Sequence, residues 1–279
     1  MDRYVVIGHP VAHSKSPRIH AAFAAATGQR LSYGTLLAPL DDFAGAWQSF
    51  RAAGGCGANV TVPFKEQAWA LCDERSREAE LAGAVNTLSI TPDGRLLGDN
   101  TDGTGLVRDI TVNAGWPLAG ARVLLLGAGG ASRGVIGPLL AAGAAQVLVA
   151  NRTAAKADTL AALFAAAGDV RGCGLDNLAR PAGGAAFDII INATSASLQG
   201  KGVVIAPGWH HPGTAVYDMM YGREIPFLAW AREQGLTHRR DGLGMLVEQA
   251  AEAFRIWRGV RPDTAAVLAQ LRAELEQTS

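Results

Sequence analysis

The amino-acid sequence predicts an α/β fold, and two observations carry that prediction. Short apolar runs of strand character alternate with helical segments along most of the chain. One of these alternations forms a complete strand–turn–helix–strand unit at residues 121–153. The length of 279 residues provides for one large domain or two ordinary ones, with ample material for a core.

The unit at residues 121–153 reads ARVLLLGAGGASRGVIGPLLAAGAAQVLVANRT. Residues 123–126 and 146–150 are predicted as buried strands, and residues 135–142 as the helix between them. Glycines in the connecting turn permit a tight bend and a close approach to a pyrophosphate, whose charge would face the free N–H groups of the helix start. The pattern indicates a Rossmann-like dinucleotide site. A purely structural turn is the alternative, because Ser132 replaces the usual third glycine.

The end of the second strand of this unit predicts which nicotinamide dinucleotide binds. A site that prefers NAD usually carries Asp or Glu there, to accept hydrogen bonds from the ribose 2′-OH. This chain has Asn151, Arg152 and Thr153, followed by Lys156. No carboxylate would repel a 2′-phosphate, and a guanidinium could bind it through two hydrogen bonds. NADP(H) is therefore the predicted cofactor, with a solvated basic helix start as the alternative.

The residues before this unit predict a second set of strands and helices. Strands are expected at residues 4–7, 31–36, 58–63, 84–90 and 95–98. Helices are expected at residues 19–27, 40–53 and 74–82, the first with Ser16 as its N-cap and Pro17 at its first position. Glycines at residues 54–57 are expected to end the helix at residues 40–53, before the third strand. The polar loop at residues 99–103 is the candidate linker.

Several polar residues in this first part of the chain suit ligand binding. Ser14 and Ser16 place two hydroxyls beside a helix start, where they suit a carboxylate or polyol ligand or serve as caps alone. Lys65 follows a strand, where α/β folds place ligand-facing groups, although a lone lysine is more often solvated. Asp102 lies in the linker and would equally serve as the N-cap of a helix at residues 105–114.

The residues after the unit continue the alternation. Strands are predicted at residues 187–192 and 215–221, and helices at residues 154–167, 226–234 and 245–258. Gln249 follows Met245 by four positions, so both are expected on one face of the last of these helices.

The composition excludes several classes of protein. Lys and Arg number 25, as do Asp and Glu, so neither nucleic acid nor an anionic membrane is a predicted partner. Three cysteines without a CxxC pattern indicate neither a disulfide framework nor a zinc site, and the histidine spacing predicts no metal site. Neither a signal peptide nor an apolar run of membrane-spanning length is recognisable. The sequence therefore predicts a cytoplasmic protein with a small-molecule substrate, and it leaves the oligomeric state open, with a homodimer among the alternatives.

Nine sequence blocks in one order resemble the shikimate dehydrogenase family over essentially the whole chain. They are residues 13–17 (HSKSP), 57–65 (GANVTVPFK), 83–87 (GAVNT), 98–103 (GDNTDG), 127–131 (GAGGA), 151–153 (NRT), 192–195 (NATS), 217–221 (YDMMY) and 241–249 (DGLGMLVEQ). One departure is visible, because Ala196 and Ser197 stand where the family usually has Ser-Gly.

The resemblance implies an NADP-dependent oxidoreductase that reversibly reduces 3-dehydroshikimate to shikimate in aromatic amino acid biosynthesis. It implies a discontinuous α/β substrate domain of residues 1–102 and 240–279, with a Rossmann-like NADP-binding domain of residues 103–239 inserted. Lys65 and Asp102 are the implied catalytic pair. The implied substrate-binding residues are Ser14, Ser16, Thr61, Lys65, Asn86, Asp102, Tyr221 and Gln249. The implied cofactor-binding residues are Gly127, Ala128, Gly129, Gly130, Ala131, Asn151, Arg152, Thr153, Lys156, Met219 and Gly242.

Three other functions compete with this one. A two-domain NADP enzyme of the amino-acid or folate dehydrogenase type would share the architecture. A non-catalytic NADPH-sensing module would not need Lys65 and Asp102. A related enzyme that acts on quinate is the nearest alternative.

Overall fold

The computed structural model describes residues 1–178, 186–194, 205–222 and 225–277. The chain forms two compact units, Met1–Gly105 with Leu246–Leu271, and Leu106–Met245 with Arg272–Ser279. The bounds of these units differ by a few residues from the predicted domain boundaries after residue 102 and before residue 240. They also place the last eight residues with the second unit. The substrate and NADP roles of the two domains stay predictions.

The first unit is built on a mixed sheet that contains six of the described strands. These strands are β1 (Asp2–Gly8), β2 (Leu31–Leu37), β3 (Gly55–Val60), β4 (Glu74–Arg75), β5 (Thr87–Ile90) and β6 (Leu96–Asp99). Their order is β2-β1-β3-β5-β6-β4. β1, β2 and β3 run parallel, whereas β5 runs antiparallel to both β3 and β6.

The helices of the first unit cover this sheet and bury its apolar residues. They are α1 (Ser16–Thr27), α2 (Phe43–Ala52), α3 (Lys65–Leu71) and α4 (Arg77–Ala82). Trp47 of α2 and Phe64 before α3 pack with Leu88 of β5, and all three are almost inaccessible to solvent. Burial of side chains of this size provides the main favourable free energy of folding.

The second unit is built on a parallel sheet that also contains six described strands. These are β7 (Arg122–Leu126), β8 (Gln146–Asn151), β9 (Val170–Gly174), β10 (Phe187–Asn192), β11 (His210–Asp218) and β12 (Arg239–Arg240). Their spatial order is β9-β8-β7-β10-β11-β12, with every pair parallel. This is the strand order 3-2-1-4-5-6 of the doubly wound dinucleotide-binding fold, with its switch point between β7 and β10.

The remaining helices belong to the second unit or are divided between the units. Within the second unit lie α6 (Gly130–Ala141), α7 (Ala154–Phe164), α8 (Leu175–Leu178) and α9 (Pro226–Glu233). The bounds of the units fall inside α5 (Asp102–Arg108), α10 (Leu243–Arg258) and α11 (Ala265–Gln277). A π-helical turn at Asp109–Asn113 follows α5. Among the described residues, no helix has the length and apolar character needed to cross a membrane.

Several local predictions are wrong for identifiable reasons. Lys15, not Ser16, is the N-cap of α1, and the Ser14 hydroxyl accepts a hydrogen bond from the Ser16 N–H at 3.3 Å. The glycines at residues 54–57 end the helix as expected, since α2 stops at Ala52, but β3 already begins at Gly55 and not at residue 58. There Gly57 leaves room for Trp257, since a Cβ at Gly57 would lie 2.9 Å from the indole Nε1. The strand predicted to reach residue 221 ends at residue 218.

A buried histidine in α1 makes the stability of the first unit depend on pH. His20 is fully inaccessible, and its ring stacks on the Tyr33 ring with the centroids 4.2 Å apart. Burial lowers the pKa of His20 from its ordinary 6.5 to about 3. Between these two pH values the unfolded chain binds a proton that the folded protein does not. The contribution of His20 is therefore complete above pH 6.5 and is lost as the pH falls towards 3.

We expect the free energy of unfolding to fall on acidification with a slope from His20 of up to about 1.4 kcal/mol per pH unit. Urea unfolding of the wild type and of His20→Phe, measured from pH 4 to pH 7, tests this. The variant should show the shallower dependence. The exposed His13 gives the control, because His13→Gln should leave the wild-type slope intact. Identical slopes for the wild type and His20→Phe would contradict the prediction.

Candidate active site

The structure brings Lys65 and Asp102 into direct contact in the first unit. Lys65 begins α3 and Asp102 begins α5. The Lys65 Nζ lies 2.5 Å from the Asp102 Oδ2, although 37 positions separate the two residues. Their side chains are 31% and 18% exposed, so the pair is partly shielded from water and still reachable by a ligand. An ammonium group held by a carboxylate can exchange a proton with a bound molecule.

Strand topology explains why distant residues meet here. Because β5 is antiparallel to β3 and β6, Thr87 pairs with both Asn59 and Asp99. The amino end of β5 therefore lies beside the carboxyl ends of β3 and β6. This one edge of the sheet therefore gathers the residues that follow β3 and β6 and the residue that precedes β5.

Asn86 fixes the second oxygen of the Asp102 carboxylate. Its Nδ2 donates to the Asp102 Oδ1 at 2.8 Å and to the Thr101 Oγ1 at 3.0 Å. Its Oδ1 accepts from the Thr101 N–H at 2.9 Å and from the Thr87 hydroxyl at 2.8 Å, and the two donors together orient the amide. Asp102 therefore presents one oxygen to Asn86 and the other to Lys65, at the N-terminus of a helix, where negative charge is favoured.

Other predicted substrate-binding residues of the first unit surround this edge or lie at neighbouring strand ends. The Gln249 Oε1 is 3.4 Å from the Thr101 Oγ1, so α10 brings this amide to the cluster. Thr61 directly follows β3, and its N–H donates to the Ile7 carbonyl of β1 at 2.9 Å. A Cβ at Gly8, the last residue of β1, would lie 2.4 Å from the Thr61 methyl, so glycine leaves the space for this side chain.

Ser14 and Ser16 lie at the start of α1, and Ser16 is buried. Tyr221 belongs to the second unit and follows β11. Burial, with a contribution from the Asp241 carboxylate, raises the pKa of the Tyr221 phenol, so this hydroxyl is a hydrogen-bond donor at neutral pH.

The glycine turn of the second unit lies at the switch point of the parallel sheet. Gly127 has a φ of 104°, which favours glycine, and a Cβ there would lie 3.0 Å from the Thr194 Cγ2 after β10. At Gly129 and Gly130, by contrast, a Cβ would meet nothing within 4 Å. α6 begins at Gly130 without a side-chain hydrogen bond to its cap. The turn thus offers open space and backbone N–H groups, as a pyrophosphate requires.

Positively charged side chains follow the end of β8, at the same edge of the sheet. Arg152 and Lys156 are exposed, and the Asn151 side chain donates to the Thr153 carbonyl at 3.0 Å. No acidic residue occurs in the segment 151–156. These residues therefore fit a dinucleotide with a 2′-phosphate better than one with a free ribose 2′-OH.

Met219 and Gly242 meet at the same end of the sheet. The Gly242 N–H donates to the Met220 carbonyl at 2.9 Å, and a Cβ at Gly242 would lie 2.2 Å from the Met219 oxygen. Glycine is therefore required for this close approach of two backbone segments. Ala196 and Ser197, where the sequence departs from the family pattern, lie outside the described residues.

Known proteins of one family match this chain in sequence and in fold. Family models for the shikimate dehydrogenase substrate-binding domain, the shikimate / quinate 5-dehydrogenase and the shikimate 5′-dehydrogenase C-terminal domain match residues 6–88, 111–200 and 242–272, respectively. Shikimate dehydrogenase (NADP(+)) of Aromatoleum aromaticum is 58% identical over 99% of both chains, and that of Dechloromonas aromatica is 59% identical over 98% of both. The Thermus thermophilus shikimate 5-dehydrogenase, solved with NADP(H) and shikimate, is 36% identical with a TM-score of 0.82, covering 98% of this chain and 99% of that one.

The dinucleotide-type parallel sheet, the glycine turn and the paired lysine and aspartate define the class of an α/β nicotinamide-dependent oxidoreductase. The α/β fold prediction is confirmed by the two sheets and by the matching structures. The chain belongs to the shikimate dehydrogenase family, as the resemblance of its sequence blocks predicted.

Proposed function

We propose that this chain catalyses the reversible NADPH-dependent reduction of 3-dehydroshikimate to shikimate, a step of aromatic amino acid biosynthesis. The observation that carries the proposal is the 2.5 Å contact between Lys65 and Asp102 in a chain of this family. A module that only senses NADPH would have no use for such a pair. All the proposed substrate-binding residues except Tyr221 belong to the first unit, and the second unit holds NADP(H).

Lys65 and Asp102 provide the proton chemistry. When bound, NADPH supplies the hydride that reduces the carbonyl carbon of the substrate. The carbonyl oxygen gains negative charge as the hydride arrives, and the Lys65 ammonium donates the proton that turns it into the hydroxyl. In the reverse direction the neutral amine accepts that proton. Asp102 holds the Lys65 Nζ in place through its Oδ2, and Asn86 holds the carboxylate through its Oδ1.

The substrate is a small carboxylate that bears several hydroxyl groups, and the proposed binding residues match it. Ser14 and Ser16 offer hydroxyls to the carboxylate, beside the start of α1. The hydroxyls and amides of the remaining residues offer both donors and acceptors to the ring substituents. These remaining residues are Thr61, Asn86, Tyr221 and Gln249.

The cofactor is bound by residues at the carboxyl edge of the parallel sheet. The turn of residues 127–131 receives the pyrophosphate, and Asn151, Arg152, Thr153 and Lys156 receive the 2′-phosphate end. Met219 and Gly242 line a further part of the cofactor. Backbone N–H groups and open space at the turn support this assignment.

An assay of the purified protein tests the function. Shikimate and quinate are each offered with NADP⁺ and with NAD⁺, and the absorbance of the reduced nicotinamide is followed. We expect the highest kcat/KM with shikimate and NADP⁺. Preference for quinate would move the assignment to the related quinate enzyme, and no turnover with any pair would refute the proposal.

Gly129→Ala tests the role of the glycine turn. Gly129 has a φ of −95°, which alanine also adopts, and the added methyl meets no protein atom within 4 Å. We therefore expect an unchanged melting temperature. The methyl would occupy the space of the pyrophosphate, so the KM for NADP⁺ and the KM for NAD⁺ should both rise, by about tenfold, as for the loss of one charge-assisted hydrogen bond.

The control for Gly129→Ala is Gly34→Ala in the first unit, where a new Cβ also has room, with its nearest atom 4.0 Å away. This variant should keep the wild-type KM for both cofactors. A wild-type KM in Gly129→Ala would place the pyrophosphate elsewhere.

A further inference from the structure

A continuous chain of hydrogen bonds leads from the interior of the first unit to the catalytic aspartate. The Tyr33 hydroxyl donates to the Asn59 Oδ1 at 2.7 Å, and the Asn59 Nδ2 donates to the Thr87 Oγ1 at 3.2 Å. The Thr87 hydroxyl donates to the Asn86 Oδ1 at 2.8 Å. The Asn86 Nδ2 then donates to the Asp102 Oδ1, also at 2.8 Å.

All four hydrogen bonds point in the same direction, from Tyr33 towards the Asp102 carboxylate. Each acceptor group donates in turn to the next, so the group dipoles align with their positive ends towards the negative charge. Hydrogen bonds in such a series polarise one another, and the effect is greater where water is excluded. The middle of this series is well shielded, because Asn59 is 6%, Asn86 3% and Thr87 0% exposed.

The series begins at the hydroxyl of Tyr33. Burial raises the pKa of the Tyr33 phenol well above its ordinary value, against a smaller lowering by its hydrogen bond with the Ser16 side chain. Tyr33 therefore stays protonated and able to donate throughout the neutral range. Tyr33, Asn59, Thr87 and Asn86 form what we call the Asp102 relay.

Thr87 is the link on which the relay depends. Its hydroxyl is the acceptor for Asn59 and the donor to Asn86, and a methyl group in its place could serve neither. The Asn86 amide is the group that fixes the Asp102 Oδ1, so a change in its orientation moves the carboxylate that holds the Lys65 Nζ. Position matters here because proton donors act over hydrogen-bonding distances.

We propose that Thr87 is a positioning residue of the reaction, and that it acts through Asn86 and Asp102 to hold Lys65 in the geometry of proton transfer. This inference rests on the proposed function. Tyr33 contributes to the same positioning from one step further away.

Steady-state kinetics of Thr87→Val and Thr87→Ser with shikimate and NADP⁺ test the proposal. Valine keeps the shape of threonine and removes the hydroxyl, so we expect kcat to fall by about 5- to 20-fold, as for the loss of one or two hydrogen bonds. The KM for shikimate should change by less than about threefold, because the groups proposed to contact the substrate are retained. Serine restores the hydroxyl and should restore most of kcat.

The matched control is Thr214→Val in the second unit. Thr214 is also fully buried, and its hydroxyl donates to the Phe187 carbonyl at 2.7 Å and accepts from the His211 N–H at 2.9 Å. This variant should lose stability without losing kcat. It distinguishes the effect of losing a buried hydrogen bond from the effect of losing the relay.

Repeating the substitution in a protein that already carries Asp102→Asn decides whether Thr87 acts through Asp102. In an Asp102→Asn protein, Thr87→Val should lower kcat by less than about twofold, because residues that act as one unit are not additive. An equal loss in both backgrounds, or a wild-type kcat in Thr87→Val, would overturn the proposal while the activity of the wild type still stands. If Thr87→Val does not fold, Tyr33→Phe provides the same comparison, with an expected loss of about two- to fivefold.

Discussion

Lys65→Met is expected to lower kcat by about 10²–10⁴, the usual contribution of a positioned acid–base group. Methionine keeps much of the length of lysine but can neither donate nor accept a proton. The KM for shikimate should change far less, because the substrate carboxylate and the other ring hydroxyls keep their proposed partners. Steady-state kinetics in the direction of shikimate oxidation measure both constants.

Two further variants separate charge from proton transfer. Lys65→Arg keeps the positive charge beside Asp102, but a guanidinium does not release its proton at accessible pH. We expect kcat to fall in Lys65→Arg as well. Wild-type turnover in Lys65→Arg would show that the charge alone matters, and a raised KM with an intact kcat in Lys65→Met would make Lys65 a binding residue only.

Asp102→Asn should also lower kcat, since the amide holds the Lys65 ammonium less firmly than the carboxylate at 2.5 Å. The double variant with Lys65→Met should be little worse than the poorer single variant, because the two side chains act as a unit. Losses that multiply would show that the two residues act independently.

Arg152→Ala is expected to raise the KM for NADP⁺ by about 10- to 100-fold, the equivalent of a charge-assisted contact of about 1.5–3 kcal/mol. The KM for NAD⁺ should hardly change, because NAD⁺ has no 2′-phosphate for the guanidinium to bind. Arg152 is exposed and follows β8 directly, so its removal leaves the sheet intact.

Arg171→Ala provides the control for Arg152→Ala. Arg171 is an exposed arginine of the neighbouring strand β9, and its guanidinium is bound to the Asp169 carboxylate at 2.8 Å. Its removal should leave the KM of both cofactors unchanged. Equal losses of NADP⁺ and NAD⁺ affinity in Arg152→Ala would contradict the assignment of the 2′-phosphate site.

Local patterns were sufficient for the central part of the second unit. The apolar run before Gly127 and the run that ends at Ala150 predicted β7 and β8 to within one residue at each end. The helix predicted from residue 135 begins five residues earlier, at Gly130 of α6. These predictions depend only on residues that are neighbours in the chain, since a buried parallel strand needs consecutive apolar residues and a tight turn needs glycine. The strand β9 and the helix α11 were missed, and in β9 the reason is visible. Its Gly172 looks like a residue that interrupts a strand. Glycine is needed at this position because a Cβ there would lie 2.4 Å from the Asp158 backbone N of α7.

The sequence by itself determined the α/β class, the dinucleotide turn and, through nine ordered blocks, the family and the residues to test. Only the tertiary structure decided which of those residues touch. Lys65, Asn86 and Asp102 meet because β5 runs antiparallel to β3 and β6, and no local pattern encodes that pairing. Thr87 looked like an ordinary strand residue until both its hydrogen-bond partners were visible. Strand pairing and the partners of a buried hydroxyl arise from residues far apart in the chain, so they appear only when the sheet has formed.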